Sequence, residues 1–261
     1  MRRVLPRDRG TLVIAFDHAL VLGPIPGTLD PRGQIQRFIE ARADAILLNL
    51  GNFRHFAQAS CSENPPALIA RLDWTTAFNE SAKTEPNGFQ TCLLAHPEQA
   101  LAAGADAVIT FLTVGSGDAD FEKKEIERVG LLARRCERVG MPLFVESIAR
   151  GARVENPRDA KWLMLHTRIA AELGADVIKT ENAADIDTLK TVVEACPIPI
   201  LVLGGSRSGS DEDVLNTVRA IMQAGAAGIF FGRNIFQADN MGELLQRVRG
   251  ALAHKVSAQG R

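Results

Sequence analysis

The chain has 261 residues, of which 46% are hydrophobic, and its formal net charge at pH 7 is −1. That length and apolar content can bury a sizeable core, in one large domain or two small ones. The near-neutral charge argues against nucleic acid or an anionic membrane as the main partner, because a basic surface would be needed to meet either.

The chain has four cysteines and five histidines, all widely spaced. Because no CxxC pair occurs, neither a disulfide framework nor a zinc site is predicted, and a reducing compartment is the simplest inference. The histidines show no ligand spacing, so we expect no metal and no other cofactor. An apolar run near the N-terminus, Leu12–Phe16, is too short for a signal segment or a membrane span. These features predict a soluble cytoplasmic protein.

Four segments look like copies of one another: ARADAILLNL (41–50), AAGADAVITFL (102–112), ELGADVIKT (172–180) and QAGAAGIFFG (223–232). Each one ends a helical pattern and enters a strand rich in Ile, Val and Leu. The turn usually falls on glycine, which suits the left-handed position just past a helix end. Arg42 stands in the glycine position of the first copy, so we expect a different helix cap there.

Four further apolar runs lie between these copies: TLVIAFD (11–17), ALIARLD (67–73), PLFVES (142–147) and PILVLGG (199–205). Together they make eight strands separated mostly by segments of helix length, which is typical of a parallel sheet covered on both faces. Eight such strands predict a closed (β/α)8 TIM barrel. The alternative is an open doubly wound sheet. That fold usually has fewer strands and a Gly-rich turn after the first strand, where this chain has Asp17-His18-Ala19.

We expect residues 1–261 to form a single barrel domain. Residues of about 74–90 break the strand–helix rhythm at Pro86-Asn87-Gly88 and are predicted to be an insertion, and a polar tail follows about residue 254. Asn156 and Pro157 predict a helix start, with the helix ending at Gly174.

Polar side chains at the carboxyl ends of the strands are the candidates for chemistry, because the active site of such a barrel lies there. Lys179 interrupts an apolar strand, and an ammonium taken out of water is costly unless it is paired or neutralised. A neutral amine in such a place is a nucleophile toward carbonyls. Strand alternation puts Asp17 and Glu146 on inward faces as well. The simpler alternative is that each of these residues only ends its strand in solvent or caps the next helix, and we favour that reading for Asn49 and Asp73.

Glycines after the last two strands indicate an anion site. Gly204-Gly205-Ser206 follows the seventh strand and Gly232-Arg233 follows the eighth. Glycines let backbone N–H groups approach an anion, and barrels commonly hold phosphate at this position. Arg233 would add a charge-assisted hydrogen bond.

Several motifs resemble one family over nearly the whole chain: AFDHAL near the start, VGSG after the fourth strand, ARG at 149–151, GADVIKT, LGG and AGAAGIFFGRNIFQ. The resemblance is to the archaeal-type class I fructose-bisphosphate aldolases and their bacterial relatives. Those relatives include deoxyribose-phosphate aldolase-like Schiff-base aldolases, synthases of aromatic amino-acid precursors and the autoinducer-2 phosphate thiolase.

The resemblance implies that Lys179 is the Schiff-base lysine and Asp17 an active-site acid. It implies phosphate ligands at Gly205, Ser206, Gly232 and Arg233, and we assign Gly204 and Arg150 to substrate binding with them. It further implies a metal-free enzyme with a phosphorylated small-molecule substrate, assembled as a homo-oligomer such as a decamer.

The chain departs from these aldolases after the fifth strand. Their Trp-x-Tyr-Pro-Arg-Gly segment supplies a tyrosine acid/base, but Glu146 stands at the tryptophan position and Ile148 at the tyrosine position. The chain contains no tyrosine at all. Leu22 also stands where a polar residue is common. We therefore expect Glu146 to carry protons, the alternative being that Glu146 only pairs with Arg150 and leaves Asp17 as acid/base.

The leading hypothesis is a class I, metal-independent aldolase that makes or cleaves a carbon–carbon bond in a phosphorylated ketose or related keto compound. The second is a thiolase-like acyltransferase to coenzyme A, acting on a phosphorylated diketone. The third is a non-catalytic sensor of a phosphorylated ligand.

Overall fold

Parallel strands close into a barrel in this computed structural model, which describes residues 3–6, 8–59, 64–79, 81–83, 85, 88–207 and 209–253. Within those residues the strands are β1 (Thr11–Phe16), β2 (Ala45–Asn49), β3 (Ala67–Arg71), β4 (Asp73–Thr75), β5 (Thr91–Leu93), β6 (Ala107–Val114), β7 (Leu143–Ala149), β8 (Val177–Thr180), β9 (Ile200–Leu203) and β10 (Gly228–Phe231).

The barrel runs β1-β10-β9-β8-β7-β6-β3-β2, and every pairing within it is parallel. Because β1 pairs with both β2 and β10, the sheet has no free edge. This confirms the (β/α)8 TIM barrel and excludes the open doubly wound sheet. Each predicted apolar run contains one barrel strand.

Helices connect the barrel strands on the outside. Among the described residues they are α1 (Ala19–Leu22), α2 (Pro31–Glu40), α3 (Phe53–Ala59), α4 (Pro97–Ala102), α5 (Ala119–Val139), α6 (Ala160–Leu173), α7 (Ile186–Ala195), α8 (Asp211–Gln223), α9 (Arg233–Phe236) and α10 (Met241–Leu252). None of these helices has the length and apolar character needed to cross a membrane.

The barrel interior is filled by small and branched side chains together with the rings of Phe144 and Phe230. Val13 and Ala15 from β1 meet inward residues of the other strands, and Val4 packs against this cluster from the N-terminal segment. A larger apolar cluster lies between the strands and the helices. The interior is therefore a packed core, and the alternation that builds it continues to polar residues at the carboxyl ends of the strands.

The expectation of a different helix cap at Arg42 is wrong, because Arg42 has the left-handed backbone that glycine has in the other copies. Arg42 has a φ of 57°, and it is the non-glycine residue with positive φ within the described part of the chain. Gly104 and Gly225 hold the same left-handed position in their copies of the turn, with φ of 89° and 86°. The cap geometry is thus repeated, and Arg42 adopts it despite its side chain, at a cost of roughly 1–2 kcal/mol.

The predicted helix start at Asn156 is wrong. Helix α6 begins at Ala160 with Asp159 as its N-cap, and it ends at Gly174 as predicted, with φ of 107°. The Asn156 side chain instead accepts a hydrogen bond from the Arg158 backbone N–H at 3.1 Å. It therefore stabilises the turn that precedes the helix.

The segment after β3 forms a short antiparallel hairpin, in which β4 pairs with β5. Ala77 and Phe89 from this segment are buried in a small cluster with Phe121 and Ile148. The hairpin therefore covers one side of the barrel mouth. Residues 86 and 87 of the expected turn, and the polar tail after residue 254, lie outside the described residues.

Candidate active site

Lys179 lies inside the barrel. It shares the inward face of β8 with Val177, and only 5% of its surface is exposed. Its Nζ is 2.8 Å from Oε1 of Glu146 and 4.6 Å from the centre of the Phe230 ring. The structure therefore places the amine in a buried pocket and not in solvent.

Glu146 is held between two cations. It is opposite Lys179 in the register of β7 and β8, so the two side chains point into the barrel side by side. Its other oxygen, Oε2, accepts a hydrogen bond from Arg71. The alternative pairing of Glu146 with Arg150 at the rim does not occur, because both terminal nitrogens of Arg150 donate to Glu181, at 2.6 and 2.7 Å.

Asp17 reaches the same cluster from the end of β1. Its Oδ2 accepts a hydrogen bond from Nε of Arg71 at 2.9 Å. Burial by itself would raise the pKa of this carboxyl, but the charges of Arg71 and Lys179 outweigh burial and lower the pKa to about 2. Asp17 is therefore ionised across the physiological range.

Arg71 links the two carboxylates, and the sequence analysis did not single it out. It follows Ala67 and Ile69 on the inward face of β3, so strand alternation could have found it. Its guanidinium lies 3.7 Å from the centre of the Phe111 ring. Lys179 and Arg71 are thus two buried cations that share two buried carboxylates.

Asn49 and Asp73 lie next to this cluster. Asn49 donates from Nδ2 to the Asp17 carbonyl at 3.1 Å. Asp73 is fully buried and accepts hydrogen bonds from Thr110 and from Nη1 of Arg128, at 2.6 and 2.9 Å. Our expectation of a strand end in solvent is therefore wrong for Asp73. Asn49 is partly exposed at the end of β2, and its hydrogen bond orients the backbone at Asp17.

His18 was also not singled out, although it lines the pocket. Its Nδ1 is 3.9 Å from Oδ1 of Asp17. Burial lowers the pKa of His18 to about 4, so its imidazole is neutral near pH 7. A Cβ at residue 232 would be 2.3 Å from the His18 ring, so Gly232 is needed to leave room for it.

The glycine loops after β9 and β10 form another wall of the pocket. Gly204, Gly205, Gly232 and Arg233 all line the pocket, and Gly205 has a φ of 69°. Arg233 makes no ion pair with any described residue, and burial lowers its pKa. Its buried Nε has no hydrogen-bond partner there either. This wall therefore offers an uncompensated positive charge.

Two of the predicted binding residues are not brought to this pocket. Ser206 is exposed, and it does not line the pocket. Arg150 borders a neighbouring cleft with Glu181. Sequence spacing located their loops correctly but could not predict where the side chains end.

The pocket has an empty volume of about 590 Å³, counted out to solvent at its mouth. Apolar side chains from helix α1, the segment after β4, and strands β6, β9 and β10 line it as well, namely Val21, Leu22, Phe78, Phe111, Leu203 and Phe230. Ile148, at the position where the similar aldolases have tyrosine, is buried beneath the hairpin and does not line the pocket. Among the described residues, no three His, Cys, Asp or Glu side chains are grouped so that they could hold a metal ion.

This arrangement suits covalent chemistry on a carbonyl compound. An amine can attack the carbonyl, an adjacent carboxylate can accept and return a proton, and an unpaired guanidinium can hold an anionic group.

Comparisons with known proteins agree with this chemistry. The family model described as "DeoC/LacD family aldolase" matches residues 11–238. The 2-amino-3,7-dideoxy-D-threo-hept-6-ulosonate synthase of Halobacterium salinarum is 32% identical over 97% of this chain and 90% of its own. The class 1 fructose-bisphosphate aldolase of Thermoproteus tenax is 30% identical over 90% of this chain and 86% of its own.

A solved structure is similar over the whole barrel. It is an archaeal fructose-1,6-bisphosphate aldolase with its catalytic lysine covalently bound to the carbinolamine intermediate of the substrate. The TM-score is 0.83 at 28% identity, covering 97% of this chain and 98% of that one. The chain therefore belongs to the DeoC/LacD family of aldolases, and it is a class I Schiff-base enzyme that acts on carbon–carbon bonds.

Proposed function

We propose that this enzyme makes or cleaves a carbon–carbon bond in a phosphorylated ketose or a related keto phosphate, with Lys179 as the Schiff-base residue. The observation that carries the proposal is a buried amine, paired to a carboxylate at 2.8 Å, in a pocket that is also lined by an unpaired arginine. The amine supplies the nucleophile and the arginine supplies a place for phosphate.

In the first step the Lys179 ammonium gives a proton to Glu146, and the free amine attacks the ketone carbon. Glu146 returns that proton to the hydroxyl group of the carbinolamine, which leaves as water, so an iminium forms and Glu146 is again a carboxylate. The iminium accepts the electrons of the bond between the α and β carbons as that bond breaks, and Glu146 takes the proton of the β-hydroxyl group. An aldehyde leaves and an enamine remains. Protonation of the enamine and hydrolysis release the second product and restore the lysine.

Substrate binding is assigned to the glycine wall. Backbone N–H groups of Gly205 and Gly232 and the guanidinium of Arg233 would hold the phosphate, with Gly204 shaping the turn. Remote binding of this kind positions the reacting carbonyl at the amine. Asp17 remains ionised beside the iminium, whose positive charge it stabilises.

The proposal is tested by trapping. Incubation with a panel of phosphorylated ketoses and borohydride, followed by intact mass and peptide mapping, should show a reduced adduct on the peptide that contains Lys179. Lys179→Met should give no adduct, whereas Lys161→Met, a matched change on the exterior helix α6, should behave as wild type. An adduct on Lys83 or Lys161 would contradict the assignment.

No observation on the pocket or among the relatives favours the thiolase-like hypothesis or the non-catalytic sensor over the aldolase. Turnover that depends strictly on added coenzyme A would favour the former. Saturable binding of sugar phosphates without any turnover would favour the latter.

We further propose that residues 1–261 form one domain, that the protein works in the cytoplasm, and that it forms a homo-oligomer. The free state of Cys92, Cys136 and Cys196 supports a reducing compartment. Light scattering coupled to size-exclusion chromatography would give the mass of the assembly, and a monomer at micromolar concentration would contradict the oligomer.

A further inference from the structure

The guanidinium of Arg71 is the centre of the buried charge cluster. Its Nε and Nη2 face the carboxylates of Asp17 and Glu146, and 1% of its side chain is exposed. Lys179 occupies the remaining oxygen of Glu146. Both oxygens of Glu146 therefore have a cationic partner. Of the two contacts, only the one with Lys179 changes during the proposed reaction, because the lysine amine reacts with substrate.

A guanidinium is suited to this position in a way that an ammonium is not. It stays charged at every working pH, and its planar fork presents donors to two carboxylates at once. Two buried carboxylates repel each other, and a cation between them offsets that repulsion. The lowered pKa of Asp17 agrees with this electrostatic effect.

The guanidinium of Arg71 is also held on the side that faces away from Asp17 and Glu146. Nη1 of Arg71 lies 3.5 Å from Oδ1 of Asp73, and the other oxygen of Asp73 accepts from Nη1 of Arg128 at 2.9 Å. Arg128 also pairs with Glu125, so the line of alternating charges continues into helix α5. The face of Phe111 covers the guanidinium. Arg71 consequently has little freedom to rotate.

We propose that Arg71 is a positioning residue for the aldolase reaction. It fixes Glu146 with one oxygen aimed at Lys179 and places a positive charge between the two carboxylates. In the step that this supports, a Lys179 N–H bond breaks, the proton moves to Oε1 of Glu146, and the electron pair stays on Nζ. The inference rests on the proposed role of Lys179 as nucleophile.

Other charged groups also face these carboxylates. Besides Arg71 they are Lys179 from β8 and His18 after β1, while Asp73 lies on the far side of the guanidinium. None of these can replace Arg71, because His18 is neutral near pH 7 and Lys179 must lose its proton in each cycle.

The test compares Arg71→Lys with Arg128→Lys by the pH dependence of kcat and by borohydride trapping. Arg71→Lys keeps the charge but loses the fork, so we expect kcat near pH 7 to fall on the order of 10- to 100-fold. We expect KM to change far less and the acidic limb of the kcat profile to move up by about one pH unit. Arg128→Lys, which alters the same network without touching Glu146, should lower thermal stability but leave the profile in place.

Two results would overturn the inference. One is a profile for Arg71→Lys that matches wild type, and the other is an equal shift in both variants. Should Arg71→Lys fail to fold, the wild-type enzyme still decides, because the carboxyl ¹³C resonance of Asp17, assigned with Asp17→Asn, should titrate below the ordinary range of an aspartate. Titration of Asp17 in the ordinary range would contradict the proposal. Failure of the proposed function shows itself differently, as wild-type enzyme that gives no adduct on Lys179.

Discussion

A glutamate in the middle of β7 gives the pocket a group that can carry protons beside the lysine amine. Glu146→Gln keeps the size of the side chain and one acceptor oxygen, but it removes the titrating group and puts an amide NH2 where the second oxygen faced a cation. We expect the trapped adduct to form more slowly, because Lys179 loses the group that takes its proton, and turnover to fall on the order of 10²–10⁴-fold. Parallel trapping and steady-state assays measure the two effects.

The control for that experiment is Glu181→Gln, which changes a carboxylate that pairs with Arg150 outside the pocket. It should retain near-normal turnover. If instead Glu146→Gln stays within a few-fold of wild type, Asp17 becomes the candidate acid/base.

Arg233 should act mainly in binding. Its guanidinium faces the pocket without a carboxylate partner among the described residues, so it is available to an anionic group. Arg233→Ala should weaken the binding of a phosphorylated substrate by roughly 1.5–3 kcal/mol, the value of a lost charged hydrogen bond. The effect on a non-phosphorylated analogue should be much smaller.

Isothermal titration with both ligands measures this difference. Arg207→Ala is the matched control, since Arg207 is engaged by Asp211 and by the Asn234 carbonyl. Equal losses on both ligands would mean that Arg233 is a structural residue.

At the scale of single residues, strand parity predicted how Lys179, Glu146 and Asp17 converge. The same rule applied to β3 predicts that Arg71 faces inward after Ala67 and Ile69. The sequence run continues to Asp73, so the sequence alone indicates Asp73 as the polar residue at the end of this strand. Parity could not locate Arg150, whose long side chain turns away to Glu181. Side chains with several rotatable bonds reach partners that sequence spacing does not specify.

Among the elements, the turn between α2 and β2 stores strain. Arg42 is left-handed where the equivalent turns use glycine. Arg42→Gly should therefore raise the free energy of unfolding by roughly 0.5–1 kcal/mol, since relief of the strain exceeds the entropy cost of glycine. Urea unfolding followed by circular dichroism measures the change.

Arg42→Ala provides the comparison, because alanine removes the long side chain but keeps the Cβ that causes the strain. It should show no gain in stability. A loss of stability in Arg42→Gly would show instead that contacts of the arginine side chain outweigh the strain.

Element boundaries were predictable where one signal dominated. Glycine after α5 and α6, and the Ser210 cap before α8, correspond to observed helix ends. The start of α6 was not, because Asn156 and Asp159 both have the chemistry of an N-cap and only the tertiary structure selects between them. Strands β4 and β5 have three residues each, too few to show a period.

For the molecule as a whole, buried neutral histidines predict sensitivity to acid. Burial lowers the pKa of His166 to about 3, whereas an unfolded histidine titrates near 6.5. As the pH falls below 6.5 the unfolded state takes up a proton that the folded state does not, so stability is lost progressively down to about pH 3. At about pH 4.5 this one residue should cost on the order of 2 kcal/mol.

His166→Asn should flatten that dependence while keeping a polar partner for Ser147, whose Oγ lies 2.7 Å from the histidine Nδ1. Denaturant unfolding at neutral and acidic pH gives the comparison, with the partly exposed His55 changed to Asn as control. An equal acid loss in wild type and His166→Asn would remove His166 as the cause.

The pairing of β1 with β10 means that the active site is complete only after the last barrel strand has joined the first. Asp17 emerges from the ribosome with the first barrel strand, and Arg233 follows directly after the last one. Because contacts so distant in sequence form late in folding, a nascent chain can present Lys179 well before it has either the anion wall or a closed cavity. The proposed chemistry therefore requires the last barrel strand to be in place beside the first.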